Sequence, residues 1–198
     1  MTPKDGTRRR ILDAGEIEFA EKGYFNASID RIAERAAVAK GTVYYNFAGK
    51  GAVFLAVVDR GLTELTRRVR LEAERDGSVR ERLSRVFRAH AEMLFEYPRI
   101  AEILFREMTS GLEPAVLDGI RAIRSAYLES LVGLVHDGRH EGVLGATHPR
   151  LAAIAVTELS YAVCAELIAT GGTQDEAVEF LVHVFTGGLI GGNDESRS

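Results

Sequence analysis

The sequence has no tryptophan, a single cysteine and only four prolines in 198 residues. One thiol, Cys164, allows no internal disulfide, which agrees with a reducing compartment and leaves the fold to its core. A chain of this length buries roughly 70% of the surface its unfolded form exposes, so neither disulfide nor metal is needed for folding. Alternating apolar–polar runs and low-complexity tracts are missing too, which points away from sheet. Long hydrophobic runs are scarce. The longest, near Ala152 to Ala169, is interrupted by Thr157, Glu158, Ser160 and Glu166 and reads as too polar for a membrane span. Arg8, Arg9 and Arg10 precede an apolar pair, but Asp13, Glu16 and Glu18 follow at once, so no secretory signal is read. The expectation is a soluble cytoplasmic protein with no membrane partner.

What charge there is lies unevenly. Residues 1–50 hold nine Lys and Arg against seven Asp and Glu, while residues 51–198 hold sixteen against twenty-two. All four lysines, Lys4, Lys22, Lys40 and Lys50, lie in the first fifty positions. A mildly basic head on an acidic body suggests an anionic partner at the head. Charges this small also fit ordinary surface, so charge alone decides nothing.

Apolar residues recur at spacings of three and four almost throughout, which predicts an all-α chain of about nine helices. Ile11, Leu12, Gly15, Phe19 and Ala20 give a first helix ending at Gly23. Ser28 is the expected N-cap of a short second helix, with Asp30 in its first turn and Ile29, Ile32 and Ala33 inward. After a break at Ala36–Ala39 comes a third short helix from Lys40 to about Phe47. A long fourth helix follows through Leu55, Val58, Leu62, Leu65 and Val69. Leu83, Val86, Phe87, His90 and Leu94 line a fifth, stopped before Pro98, and Ile100, Ile103, Leu104 and Met108 mark a sixth. Pro114 opens a seventh and Pro149 an eighth, with a loop from about Gly138 to His148 between them. Gly171-Gly172 ends the eighth, and Thr173 caps a ninth running to about Leu189. The last residues are polar and frayed.

Two short helices with a tight turn between them are the footprint of a helix-turn-helix, here about 28–47. At 100° per residue, Val43 and Phe47 share an inward face of the third helix. Gly41, Thr42 and Tyr45 lie opposite, with Tyr44 at the border and Lys40 beside them. An exposed aromatic pair on a short helix has little structural use. In a DNA major groove, Thr methyl and Tyr rings meet thymine methyls, hydroxyls reach base edges or phosphates, and Gly41 admits close backbone approach. Lys50, at the start of the fourth helix, adds a cation where amides already favour phosphate, and Ser28 either caps or donates.

Residues 7–60 resemble the DNA-binding head of the TetR (tetracycline repressor) family. The resemblance rests on Arg9-Ile11-Leu12-Asp13-Ala14, Phe19-Ala20-Glu21-Lys22-Gly23-Tyr24, Ser28-Ile29-Asp30-Arg31-Ile32-Ala33, and Lys40-Gly41-Thr42-Val43-Tyr44-Tyr45-Asn46-Phe47 with Lys50. It implies that Lys40, Gly41, Thr42, Tyr44 and Tyr45 approach bases, and that Ser28, Tyr45, Asn46 and Lys50 hold phosphates. It also departs from the family pattern. Ala37 stands where glycine is usual, at a cost of about 1 kcal/mol if the backbone needs positive φ. Ala39 replaces a helix-opening serine, and Gly51-Ala52 replaces an acidic pair.

The resemblance further implies a divergent helical body that binds a ligand and dimerises through its last two long helices. Leu151, Ile154, Ala155, Leu159, Val163 and Leu167, with Val178, Leu181, Val182, Phe185 and Leu189, are the candidates for that interface. They read equally as intramolecular core. A dimer also follows from DNA geometry, since two recognition helices must stand about 34 Å apart to read successive major grooves. A pocket between the fifth and eighth helices has Phe87, His90, Met93, Leu94, Phe105, Met108, Tyr127, Tyr161 and Cys164 as candidate linings for an apolar small molecule. Such stripes also read as plain core, and His90 as a hydrogen-bonded core histidine or a polar handle in the pocket.

His136, Asp137, His140, Glu141 and His148 lie close in sequence, but Gly138 intervenes and the segment reads as a helix end, so no metal site is expected. Cys164 reads as a buried inert thiol. No nucleophile elbow, phosphate-binding loop or dinucleotide fingerprint is present, so no cofactor is expected. The expected organisation is a head over 7–50, a linking helix over 51–75, a ligand-binding and dimerisation domain over 79–190, and a polar tail over 191–198. The expected function is a dimeric regulator of a palindromic operator on double-stranded DNA, a repressor released by its ligand, and not an enzyme. The alternative is a helical binding or enzymatic protein with a vestigial head.

Overall fold

The computed structural model describes residues 3–96, 98, 112–140 and 148–187. These hold eight helices and no strand: α1 (Pro3–Asn26), α2 (Ile29–Arg35), α3 (Lys40–Asn46), α4 (Lys50–Glu74), α5 (Val79–Glu96), α6 (Pro114–His140), α7 (Pro149–Thr170) and α8 (Gln174–Gly187). The helix expected over Ile100–Met108, with Phe105, lies outside the described residues, as does the stretch around Leu189. The chain forms two compact units, Met1–Glu64 with Tyr97–Ser125 and Leu65–Glu96 with Ala126–Ser198, so α4 and α6 contribute residues to both.

The first unit is built on an aromatic cluster. Phe19 and Phe54 meet edge to face at 5.0 Å, and Tyr24 meets Phe54 at the same separation. Each such pair contributes roughly 0.5–1.5 kcal/mol beyond its buried area. Ile11, Ile32, Val43 and Val53 fill the space around the rings with no exposed surface. Glu18 is a buried acid in this unit, and Arg35 donates to it at 3.1 Å while also pairing with Glu21. Gly23 takes the positive φ expected of a helix end, 69°, and with ψ at 170° it is non-helical, so α1 is two helical pieces joined by a kink where the end was expected.

In the second unit α5 packs on α7 and α8. Its stripe of Leu83, Val86, Phe87, His90 and Leu94 is fully buried, and Phe87 meets Phe185 of α8 at 5.3 Å. Two helices open with reciprocal caps. The Ser78 amide donates to Glu81 at 2.8 Å while its hydroxyl accepts from the Glu81 amide, and Thr173 and Glu176 do the same. α6 continues through Gly138 to His140, where a loop was expected.

α7 corrects one expectation. By length and composition it is long and apolar enough to cross a membrane, and 33% of its most apolar stretch is buried within the protein. Two of the residues taken to interrupt it, Thr157 and Ser160, donate to the carbonyls of Ala153 and Val156 one turn back. A hydroxyl satisfied inside its own helix adds little polarity.

Candidate nucleic-acid interface and ligand core

Ser28 has the extended backbone of an N-cap, and its Oγ accepts from the Arg31 amide at 3.3 Å. That satisfies one orphan donor of α2 and leaves the hydroxyl proton to donate elsewhere. The end of α2 closes with the Val38 amide on the Ala33 carbonyl at 3.0 Å, wrapped around Ala37 at φ 52°. This is the helix stop in which the residue at positive φ is usually glycine. Val38 is half-buried, and the turn delivers the chain to α3.

α3 has two unlike sides. Val43 is fully buried and Phe47, just beyond the helix, is 5% exposed, whereas Tyr44 is 51% and Tyr45 75% exposed. Gly41 is exposed and Thr42 half-buried. Ala39, at the N-cap, makes no side-chain cap. Lys40 pairs with Asp30 of α2 at 2.8 Å, and that carboxylate raises the lysine's pKa. The Asn46 amide donates to the Thr42 carbonyl at 2.8 Å, which leaves its own carbonyl oxygen as an acceptor. Lys50 is engaged within the protein. Its Nζ donates to the carbonyls of Phe25 and Ala27 at 3.1 and 3.2 Å and lies 4.7 Å from the Tyr24 ring centre.

In the second unit, seven of the nine expected pocket residues, Phe87, His90, Met93, Leu94, Tyr127, Tyr161 and Cys164, are buried. Phe105 and Met108 lie outside the described residues. The structure gathers three of them: the His90 ring meets Tyr127 at 5.9 Å and Tyr161 at 6.2 Å, both edge to face. His90 Nδ1 lies 3.0 Å from the Val86 carbonyl and must donate to it, so Nε2 accepts from the Tyr127 hydroxyl. Burial pushes the His90 pKa down to about 4, so the ring is neutral at physiological pH. Burial also raises Tyr127 well above the usual phenol range and pushes the Cys164 thiol up to about 12. That thiol is not a nucleophile. A groove of about 830 Å³ between α5 and α8 is lined by Arg80, Arg88, Asp175, Glu179 and Phe180, none of them an expected ligand contact. Of the acidic and histidine group near the end of α6, Asp137 takes Arg82 at 2.7 Å and Glu141 is outside the described residues. No cluster of three metal-ligating side chains occurs among the described residues.

Residues 11–57 match the model for bacterial regulatory proteins of the tetR family, and residues 76–178 match that for a tetracyclin repressor-like C-terminal domain. The chain belongs to the TetR family. Among relatives, it is 28% identical over 189 residues to the transcriptional activator FasR of Mycolicibacterium smegmatis, covering 94% of this chain and 84% of that protein. It is 30% identical over 141 residues to the transcriptional repressor SCO4008 of Streptomyces coelicolor, covering 71% and 68%. The fold resembles that of the regulator FadR from Bacillus subtilis, solved in complex with stearoyl-CoA, with a TM-score of 0.82 at 20% identity over 92% of this chain and 99% of that one.

This TetR-family chain is therefore a DNA-binding transcriptional regulator with a C-terminal ligand-binding domain. Two features of its head were invisible in the sequence. The Tyr24 hydroxyl donates to Glu113 at 2.7 Å, which ties the segment opening α6 to the aromatic cluster. Phe25, 55% exposed, packs edge to face on Tyr24. Tyr24 belongs to the motif that carries the family resemblance, but nothing local points to a partner 89 residues away.

Proposed function

We propose that the protein is a homodimeric repressor that reads a palindromic operator through α3 and is released by an apolar effector. The observation that carries this reading is the exposed pair Tyr44 and Tyr45 beside Lys40, on a seven-residue helix whose other side is closed by Val43. Two rings this exposed on so short a helix add little to packing, and they suit thymine methyls and sugar edges in a major groove. Lys40, Gly41, Thr42, Tyr44 and Tyr45 are assigned to bases. Ser28, Tyr45, Asn46 and Lys50 are assigned to phosphates. The functional division is a head over 7–50, a linking helix over 51–75 and a body over 79–190, acting in the cytoplasm on double-stranded DNA and catalysing no reaction.

The effector is assigned to the buried core of the body, where His90, Tyr127 and Tyr161 form one polar cluster in apolar surroundings. A long-chain acyl thioester has the matching chemistry, a long apolar chain with one carbonyl, and the stearoyl-CoA complex of a regulator of this fold supports that class. The dimer is assigned to α7 and α8, which carry exposed Leu151 and Phe180. Release is differential binding: effector and operator each favour a different conformation, so each weakens the other by the same factor, typically about 5- to 150-fold.

Selection of bound sequences from random duplex DNA tests the reading directly. A palindromic site is expected. Tyr45→Ala should then weaken that site by about 1–3 kcal/mol with relaxed specificity, and Lys50→Ala should weaken all sequences alike. No enriched motif, or wild-type affinity in both variants, refutes the assignment.

A further inference from the structure

Two kinds of contact hold six cations of the first unit. Arg31, Arg35, Lys40 and Arg60 each face a carboxylate: Glu34 at 2.8 Å, Glu18 at 3.1 Å, Asp30 at 2.8 Å, and Asp13 with Glu16 at 2.6 Å. Their charge is already balanced within the protein. Arg8 and Lys50 instead touch only carbonyl oxygens and aromatic faces in their described contacts. Such partners fix a cation in place without cancelling it.

Arg8 is exposed on α1, and its Nη1 donates to the Asn46 carbonyl at 3.3 Å. Its Cζ lies 4.3 Å from the centre of the Phe47 ring. Asn46 and Phe47 directly follow Tyr44 and Tyr45, so the guanidinium stands at the C-terminal end of α3, opposite the end that carries Lys40. A guanidinium has five N–H donors, and the bond to Asn46 takes one. The ring and the carbonyl hold the side chain in one place beforehand, so little rotamer freedom is left to lose when an anion binds. A helix C-terminus attracts a cation by itself, and one hydrogen bond suffices for that. The remaining donors have no such use.

We infer that Arg8 is a phosphate-binding residue that holds the DNA backbone at the C-terminal end of α3. This rests on the reading of α3 as the recognition helix. The test is the salt dependence of binding to the selected operator and to a scrambled duplex of equal length, over about 50 to 200 mM salt. Arg8→Gln and Arg8→Met delete the charge, the methionine keeping apolar contact with Phe47, while Arg8→Lys keeps the charge. The two neutral variants should bind both duplexes roughly tenfold more weakly and lower the log–log salt slope by about 0.9, with the lysine variant retaining the slope. Unchanged slopes in folded neutral variants overturn the inference and leave Arg8 as a cap of α3. Failure of the wild-type protein to bind either duplex overturns the recognition-helix reading itself. Arginine-selective labelling of the wild-type protein needs no variant. Arg8 should be reactive when free and protected by bound duplex, and equal labelling in both states overturns the contact.

Discussion

Ala37 holds a φ of 52°, a left-handed conformation in which an L side chain costs about 1 kcal/mol more than glycine. Glycine there also gains entropy in the unfolded chain, which cancels part of the benefit. Ala37→Gly should therefore add about 0.5 kcal/mol and raise the melting temperature by roughly 1–2 °C. A lower melting temperature refutes this. His90 gives a second residue-scale test. Its ring is held neutral to about pH 4 in the folded protein, whereas an unfolded histidine takes up its proton near pH 6.5. The unfolded state thus binds more protons between these values, and stability falls as the pH drops through that window, by about 3 kcal/mol in all. Urea unfolding at pH 7 and pH 4.5 should show a loss that His90→Gln lacks. Parallel pH profiles for the two proteins would reject the assignment. The inward pair Val43 and Phe47 was legible from spacing alone. The engagement of Lys50 was not, because its carbonyl partners lie 23 and 25 residues back and only the folded chain brings them near.

Helix ends were the most legible elements, because they are written in local chemistry. Ser28, Pro149, Gly171 and Thr173 each stand where a cap or stop was expected, with Gly171 at φ 79° closing α7. A boundary without such local chemistry was not legible: α6 passes Gly138 and runs to His140. Hydropathy along α7 misled for a related reason, since the helix itself satisfies its hydroxyls. The caps yield paired expectations of opposite sign. Thr173→Ala removes the hydroxyl arm of the cap on α8, leaving the residue-173 amide on Glu176, and should cost about 1 kcal/mol. Ala39→Ser supplies the cap that α3 lacks and should gain a similar amount, with operator specificity retained. Chemical denaturation of the two variants checks both, and a stabilised Thr173→Ala or a destabilised Ala39→Ser would contradict the capping argument.

At the scale of the whole molecule, the small excess of positive charge in the first fifty residues is less telling than its arrangement. Arg31, Arg35 and Lys40 are balanced by carboxylates within the protein, so under the proposed reading DNA affinity comes from a few placed contacts and from two heads used at once. On that reading dimerisation is decisive for function. Leu151 and Phe180 are 62% and 43% exposed on the protomer, so neither contributes much to its folding. Val178 and Leu181, also candidates for the interface, are buried within the protomer and belong to its core. Leu151→Glu with Phe180→Glu should accordingly leave the melting curve of the protomer nearly unchanged. If α7 and α8 join two protomers, two buried carboxylates facing their own copies would separate them. Sedimentation should then report a species near 21.7 kDa in place of one of twice that mass. Each head would grip its half-site alone, and the effective concentration that a linked second head supplies, worth about 10²- to 10⁴-fold in affinity, would be lost. Binding to an isolated half-site should stay the same, because α3 is untouched. A double variant that still sediments as a dimer and binds the full operator as before would move the interface away from these two helices.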